Sequence, residues 1–229
     1  MAGQTSGKGA GGHREAGSSR RDGASGALRC GLVPECGILC NRDGPGAPGV
    51  SRRRLARGAV LVTAGTPAVR VFGIRRGLVR LWRAGGPPAG ERTVALLGAG
   101  DMLGLGALDD PVWQYHATVV LATELCVVPL AAFLERADAD LAFCRHVSGL
   151  LARRMRSLRA EGASDRATGL DARLSSLLQR LAAEDPTPAA VDAGRPRSML
   201  PPSELARLLN ESENAVRNAL ERLEKGDFS

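Results

Sequence analysis

An α+β chain is predicted, with a β-roll first, a long amphipathic helix next, and two short helices across a tight turn last. Three observations predict it. Between Arg52 and Pro129, short β-branched and aliphatic runs are punctuated by glycine. From about Asp138 the apolar spacing switches to alternating threes and fours. Near the C-terminus, two helical stretches are separated by Asn210-Glu211-Ser212.

Residues 1–29 are rich in Gly, Ser and Arg with almost nothing to bury, which predicts a disordered tail. Residues 30–51 form an arm that places Cys30, Cys36 and Cys40 close together before a loop-like run from Asn41 to Ser51.

The roll is expected over 52–137. Its strand candidates are Val69–Ile74, Leu78–Trp82, Thr93–Leu97 and Ala117–Val128. Gly77 is expected to turn one hairpin, Gly85-Gly86-Pro87-Pro88 a second, and Gly98-Ala99-Gly100-Asp101 a third.

A helix is expected over 138–162. Leu141, Cys144, Ser148, Leu151, Met155 and Leu158 form an a/d seam, and Arg145, Arg153, Arg154, Arg156 and Arg159 line its back. So narrow a stripe suits one partner helix, which makes Leu141, Cys144, Leu151, Met155 and Leu158 a candidate dimer interface. The alternative is a core helix packed on its own β-domain. Gly162 to Gly169 interrupts the pattern, and a further helix starts at Leu170, with Leu174, Leu177, Leu178 and Leu181 on one side. Asp185 to Pro196 reads as a linker.

The last region, 163–229, ends in the paired helices. Pro201 and Pro202 enter the first, where a missing N–H costs nothing, and Leu205, Ala206 and Leu209 face inward. Asn210 tolerates the left-handed conformation that stops a helix. Ser212 caps the second, whose Val216, Leu220 and Leu223 recur at helical spacing. This is a helix-turn-helix, or otherwise an ordinary helical hairpin. What separates the two is an outward stripe of Asn214, Arg217, Asn218 and Glu221, since Asn pairs bidentately with adenine and Arg with guanine. Candidate DNA-binding residues are therefore Ser212, Asn214, Arg217, Asn218 and Arg222.

The net charge of +7 fits a nucleic-acid partner; an Arg-, Ala- and Gly-rich composition of the kind a GC-rich genome encodes explains it equally well. The surplus is not in the motif. From Pro201 to Ser229 six acids outnumber four bases, so phosphate attraction has to come from elsewhere, such as Arg195, Arg197 and the long helix. Aromatics are 3% and no apolar run approaches the ~20 residues of a membrane span. No secretory leader is visible, so a cytoplasmic location, without membrane contact, is expected. There the five cysteines read as free, metal-bound or redox-active.

From Arg52 to Lys225 the order of these features resembles the CRP/FNR family of bacterial transcription regulators. The resemblance is carried by Gly58, Gly65, Val71-Phe-Gly-Ile-Arg-Arg-Gly-Leu-Val-Arg-Leu81, Leu97-Gly-Ala-Gly-Asp-Met-Leu-Gly104 and the Ser212/Val216/Leu220/Leu223 pattern. It implies a cyclic-nucleotide-binding-like jelly roll, a dimerisation helix and a winged helix-turn-helix. The wing would follow Gly226, and the chain ends at Ser229, so most of the wing is expected to be lacking. It also implies a homodimer on double-stranded DNA, in contact with RNA polymerase.

Within the family the cyclic-nucleotide branch uses a Gly-Glu pair and an Arg. Gly104-Leu-Gly-Ala-Leu108 has no Glu and Trp113 to Thr118 no Arg, so cAMP is not expected. The FNR-like branch holds an oxygen-labile [4Fe-4S] cluster on an N-terminal cysteine group and one distant cysteine. Here that implies Cys30, Cys36, Cys40 and Cys126 as ligands, with cluster loss freeing the arm and shifting the dimer equilibrium. The arm departs from the family's Cys-x2-Cys-x5-Cys: five and then three residues separate its cysteines. Zinc or reactive thiols on the arm, Cys126 as a small buried hydrophobe, and Cys144 as a packing residue are the other readings. Recognition also departs, with Asn214-x-x-Arg217-Asn218 in place of Glu-x-x-Ser-Arg.

Two further functions remain beside a redox-responsive regulator. One is a regulator of the same type answering a haem-borne gas or small molecule, with His116 and His146 as its imidazoles. The other is a wingless partner that does not bind DNA. An enzyme is not expected, because Gly98-x-Gly100 lacks the helix of a dinucleotide-binding unit and no catalytic constellation is visible.

Overall fold

In the computed structural model, residues 49–85, 90–167, 169–184 and 200–225 are described. The expectations on the tail, on Cys30, Cys36 and Cys40, on Gly86 to Pro88, on the Asp185 to Pro196 linker and on the wing lie outside them.

Two long strands carry the roll: β3 (Arg70–Ala84) and β6 (His116–Pro129) pair antiparallel from Arg70↔Pro129 to Trp82↔His116. Each serves two partners. The C-terminal half of β6 takes β1 (Ser51–Leu55), and its N-terminal half takes β2 (Val60–Val62). Likewise β3 pairs β5 (Met102–Leu103) through Phe72 and Gly73, and β4 (Glu91–Leu97) from Val79 onward.

The structure corrects the expectation for Gly77. It does not turn a hairpin; β3 runs straight through it, and the register with β6 shifts on either side. Gly77 has φ +90°, and a Cβ there would collide with the Ala122 carbonyl oxygen. Turn and bulge both demand a residue free to enter positive φ, so sequence alone does not separate them. The turn expected at Gly98 to Asp101 is present, with the Gly98 N–H donating to Asp101 Oδ2 at 2.9 Å.

Alternation along the strands divides the apolar side chains between two faces. Val62, Phe72, Ile74, Val79, Leu81, Leu97, Leu103, Trp113 and Leu125 fill the roll. Val71, Cys126 and Val128 face outward onto Phe133 of α1 (Leu130–Ala139) and Phe143 and Val147 of α2 (Leu141–Ala167).

The long helix differs from expectation at both ends. Helix begins at Leu130, in the helix-forming run Ala131 to Arg136, and breaks at Asp140, whose carboxylate accepts the Phe143 N–H at 3.0 Å and so caps α2. At the other end α2 continues through Gly162 to Ala167; an interior glycine costs only ~1 kcal/mol. Its 27 residues span ~40 Å.

α3 (Leu170–Glu184), α4 (Pro202–Leu209) and α5 (Glu213–Lys225) share a third core. Leu174, Leu177, Leu178, Leu181, Leu205, Leu209 and Val216 close on Leu78, Val120 and Leu121 of the roll. The helical region is thus seated directly on the sheet.

A candidate nucleic-acid interface and the cavities of the roll

The α4–α5 pair is built as its residues demand. Pro201 and Pro202 start α4, Leu205 and Ala206 are buried, and Asn210 stops it at φ 58°, ψ 40°. Ser212 Oγ accepts the Ala215 N–H at 3.2 Å, capping α5. Val216 and Ala219 are fully buried, and Leu220 and Leu223 pack beside them. Each large side chain so buried contributes roughly 1.5–3 kcal/mol to holding the two helices crossed.

What this leaves outside is the stripe Asn214, Arg217, Asn218 and Glu221, all exposed. Its carboxamides and guanidinium match the donor and acceptor patterns of adenine and guanine edges. Arg217 meanwhile is held by Glu213 one turn earlier, at 2.6 Å. Arg222 lies at the stripe's margin and turns toward α3, where Nε and Nη2 bind the two Asp171 oxygens at 2.8 and 2.5 Å. That pairing holds the Asp171 carboxyl below the usual carboxylate range and raises Arg222.

Contacts invisible in the sequence tie the motif to β4. Asn210 Oδ1 accepts the Thr93 N–H at 2.7 Å, and Asn210 Nδ2 donates to the Thr93 carbonyl at 2.9 Å. Thr93 Oγ1 donates to the Arg207 carbonyl at 2.5 Å. Beside them the Glu91 carboxylate takes Arg80 at 2.8 Å and Arg207 at 2.7 Å. Burial alone would push Glu91 up, but the hydrogen bonds and charges of Arg80 and Arg207 hold it below the usual carboxylate range. Asn210 read from sequence is a helix stop; its second task depends on a strand more than a hundred residues away.

On α2 the apolar residues divide between two faces. Phe143 and Val147 bury against the roll, while Leu141, Leu151, Met155 and Leu158 stand exposed on another face, Met155 at 54%. Cys144 is half-buried and its thiol donates to the Ala137 carbonyl at 2.9 Å.

Cys126 is fully buried among Val71, Val128, Phe133 and Phe143, with Arg75 Nη1 at 3.8 Å from its sulfur. The same guanidinium is paired with Glu124, its Nε 3.3 Å from the carboxylate. As seated, however, the sulfur does not fit an iron–sulfur cluster, because hydrocarbon encloses it. Among the described residues no group of three or more His, Cys, Asp or Glu side chains could hold a metal.

In the roll, Leu105 follows Gly104 and packs on the Cys126 cluster, where the family resemblance puts an acidic ribose ligand. Gly104 has φ +106°, and a Cβ would meet the Arg70 carbonyl oxygen at 2.6 Å. His116 stacks on Trp82, centroids 4.2 Å apart. A cavity of about 270 Å³ opens between β2 and β3, lined by Val62, Thr63, Pro67, Arg70, Phe72 and Trp113 among others.

Residues 52–140 match the family model for the cyclic nucleotide-binding domain. No curated protein matches the chain in sequence. Among solved structures it is similar to FixK2 from Bradyrhizobium japonicum, at 18% identity over 77% of this chain and 85% of that one, TM-score 0.60. It is also similar to a CRP-family transcriptional regulator from Thermus thermophilus, at 24% identity over 76% and 85%, TM-score 0.62. A third likeness is to CLP, a c-di-GMP-responsive global regulator of Xanthomonas campestris, at 16% identity over 77% and 87%, TM-score 0.60. These likenesses establish the order of roll, long helix and helix-turn-helix as a shared fold. Among the described residues, no helix is long and apolar enough to cross a membrane.

Proposed function

We propose that the chain is a DNA-binding transcription regulator of the CRP/FNR type, acting as a homodimer and not as an enzyme. The observation that carries the reading is the exposed Asn214/Arg217/Asn218 stripe on a capped second helix of a helix-turn-helix. Dimerisation through Leu141, Leu151, Met155 and Leu158 would set two such helices at half-sites about one DNA turn apart. Contact with RNA polymerase and a cytoplasmic location follow from the same reading.

The test is selection from a random-sequence duplex pool by the full-length protein. A two-fold-symmetric motif should be enriched. Arg217→Ala and Asn218→Ala should each relax single positions of it, at about 1–3 kcal/mol of discrimination per contact. No enriched sequence would favour the partner that does not bind DNA.

The sensed input is a finer proposal. The arm cysteines Cys30, Cys36 and Cys40 together with Cys126 are what supports a redox input, and ligation by Cys126 requires Phe133 and Phe143 to move off its sulfur. Anaerobically purified protein should then be brown and contain iron and sulfide, and Cys126→Ser should be colourless. A colourless wild-type protein removes this input and leaves DNA binding untouched.

A further inference from the structure

We propose that the cleft between β2 and β3 is the seat of the chain's own N-terminal arm, which inserts Ile38 and Leu39 into the cavity and sets Glu35 against Arg70. The inference goes beyond the DNA-binding reading and does not rest on it.

The cleft has the chemistry of a surface that is covered. Its cavity of about 270 Å³ is walled by Val62, Phe72 and Trp113, all buried, while Val60 and Val69 stand on its rim at 64% and 59% exposure. A cavity of roughly 150 Å³ holds a benzene ring, so this one takes about two aliphatic side chains. Beside that apolar mouth stands one cation. Arg70 is exposed, and its guanidinium has no ion pair or hydrogen bond among the described residues.

The point at which the arm joins the described residues identifies the occupant. Gly49 lies against Pro129, its Cβ position 3.0 Å from the proline Cγ. Pro129 is the strand partner of Arg70, so the arm departs beside the rim of the cleft. Leu39 is ten residues further back, a reach of up to ~33 Å, and Gly44-Pro45-Gly46 between them are turn residues that can send the chain back.

The composition of the arm matches the cleft. Between Cys30 and Pro48 the large aliphatic residues come as two pairs, Leu32-Val33 and Ile38-Leu39, with Glu35 between them; the other acid, Asp43, follows Arg42. An apolar pair next to a carboxylate is the complement of an apolar cavity next to an unpaired guanidinium. A soluble ligand of the same chemistry competes at a disadvantage, because a short tether holds the arm at an effective concentration on the order of millimolar. The seat lies on the face of the sheet away from Cys126, which opens toward α1 and α2. It therefore belongs to the protein without a cluster, and its outcome is independent of the sensed input.

The test is disulfide trapping in the iron-free, full-length protein. Val60→Cys places a thiol on one rim and Val69→Cys on the other, and Cys36 and Cys40 flank Ile38-Leu39 as native partners. Leu134→Cys is the control: it is exposed on α1, which starts next to Pro129 and is within reach of the same tether. Under mild oxidation, peptide mass spectrometry should find residue 60 or 69 joined to Cys36 or Cys40 about tenfold faster than residue 134, as expected for an arm held by two buried aliphatic side chains. Ile38→Ser with Leu39→Ser should abolish that preference. Arg70→Glu should slow the rim cross-link about threefold, the effect of an exposed ion pair, and Glu35→Arg in the same chain should restore it. Equal rates at the rim and at residue 134, or no cross-link at either rim position, overturn the seat. A preference that survives the double serine substitution overturns the insertion of Ile38 and Leu39, and cross-links found only between two chains overturn the assignment to the chain's own arm.

Discussion

Gly77 shows how much a single backbone position decides. It sits in the middle of β3 with the Thr123 Cα 2.8 Å from where its Cβ would be, at a φ that L side chains rarely adopt. Gly77→Ala should cost about 2–4 kcal/mol, combining left-handed strain with overpacking. A thermal midpoint equal to that of wild type would show that the bulge can relax. Glu91 makes a milder case. Its folded pKa is depressed, so the stability it lends is full above the unfolded carboxylate value of ~4.3 and is lost as pH falls through the lower folded value. Acid unfolding of Glu91→Gln, followed by circular dichroism from pH 6 downward, should therefore start from a lower plateau and be less pH-sensitive than wild type. The need for free backbone at Gly77, like the helix stop at Asn210, is legible in the sequence, whereas nothing there singles out Glu91. Their partners are not legible either, because Thr93, Arg80 and Arg207 meet Glu91 or Asn210 only through tertiary contact.

Elements with their own punctuation are legible from the residues alone. α5 begins where its Ser212 cap predicts, and Asn210 adopts the conformation its type favours. Elements whose limits depend on neighbours are not. The bulge in β3 carries the same glycine signature as a turn, and α2 absorbs a glycine expected to end it. Helix α2 also shows how one helix serves two surfaces. Phe143 and Val147 belong to the chain's own core, so the alternative of intrachain packing is met on that face. Leu151 and Met155 remain outside it. Replacing both by Glu should turn a dimer into a monomer in sedimentation equilibrium while leaving the far-ultraviolet circular dichroism unchanged, because neither side chain supports the roll. A dimer that survives the double substitution would move the interface elsewhere.

At the scale of the whole molecule, three apolar cores among the described residues meet on two long strands. β3 and β6 line the interior of the roll with Phe72 and Leu125, face α1 and α2 with Val71 and Cys126, and receive α3 to α5 on Leu78 and Leu121. Leu78→Ala, which removes a fully buried side chain shared by sheet and helices, should cost about 2–5 kcal/mol in chemical denaturation. It should also lower the cooperativity between roll and helices, seen as separate unfolding transitions. The family resemblance in the sequence predicts the order of these layers. It does not predict that the motif lies on the sheet edge, since that depends on distant hydrogen bonds with no periodic signature.

The covered edge of β4 has a consequence for handling. With Asn210 in place, the Thr93 peptide group is occupied and cannot pair with another strand. In Asn210→Gly the Thr93 peptide group, next to Val94, itself 52% exposed, loses that partner, while Arg154 and Arg180 still hold the Leu96 carbonyl. That variant is then a better template for strand addition than wild type and should be the one that self-associates.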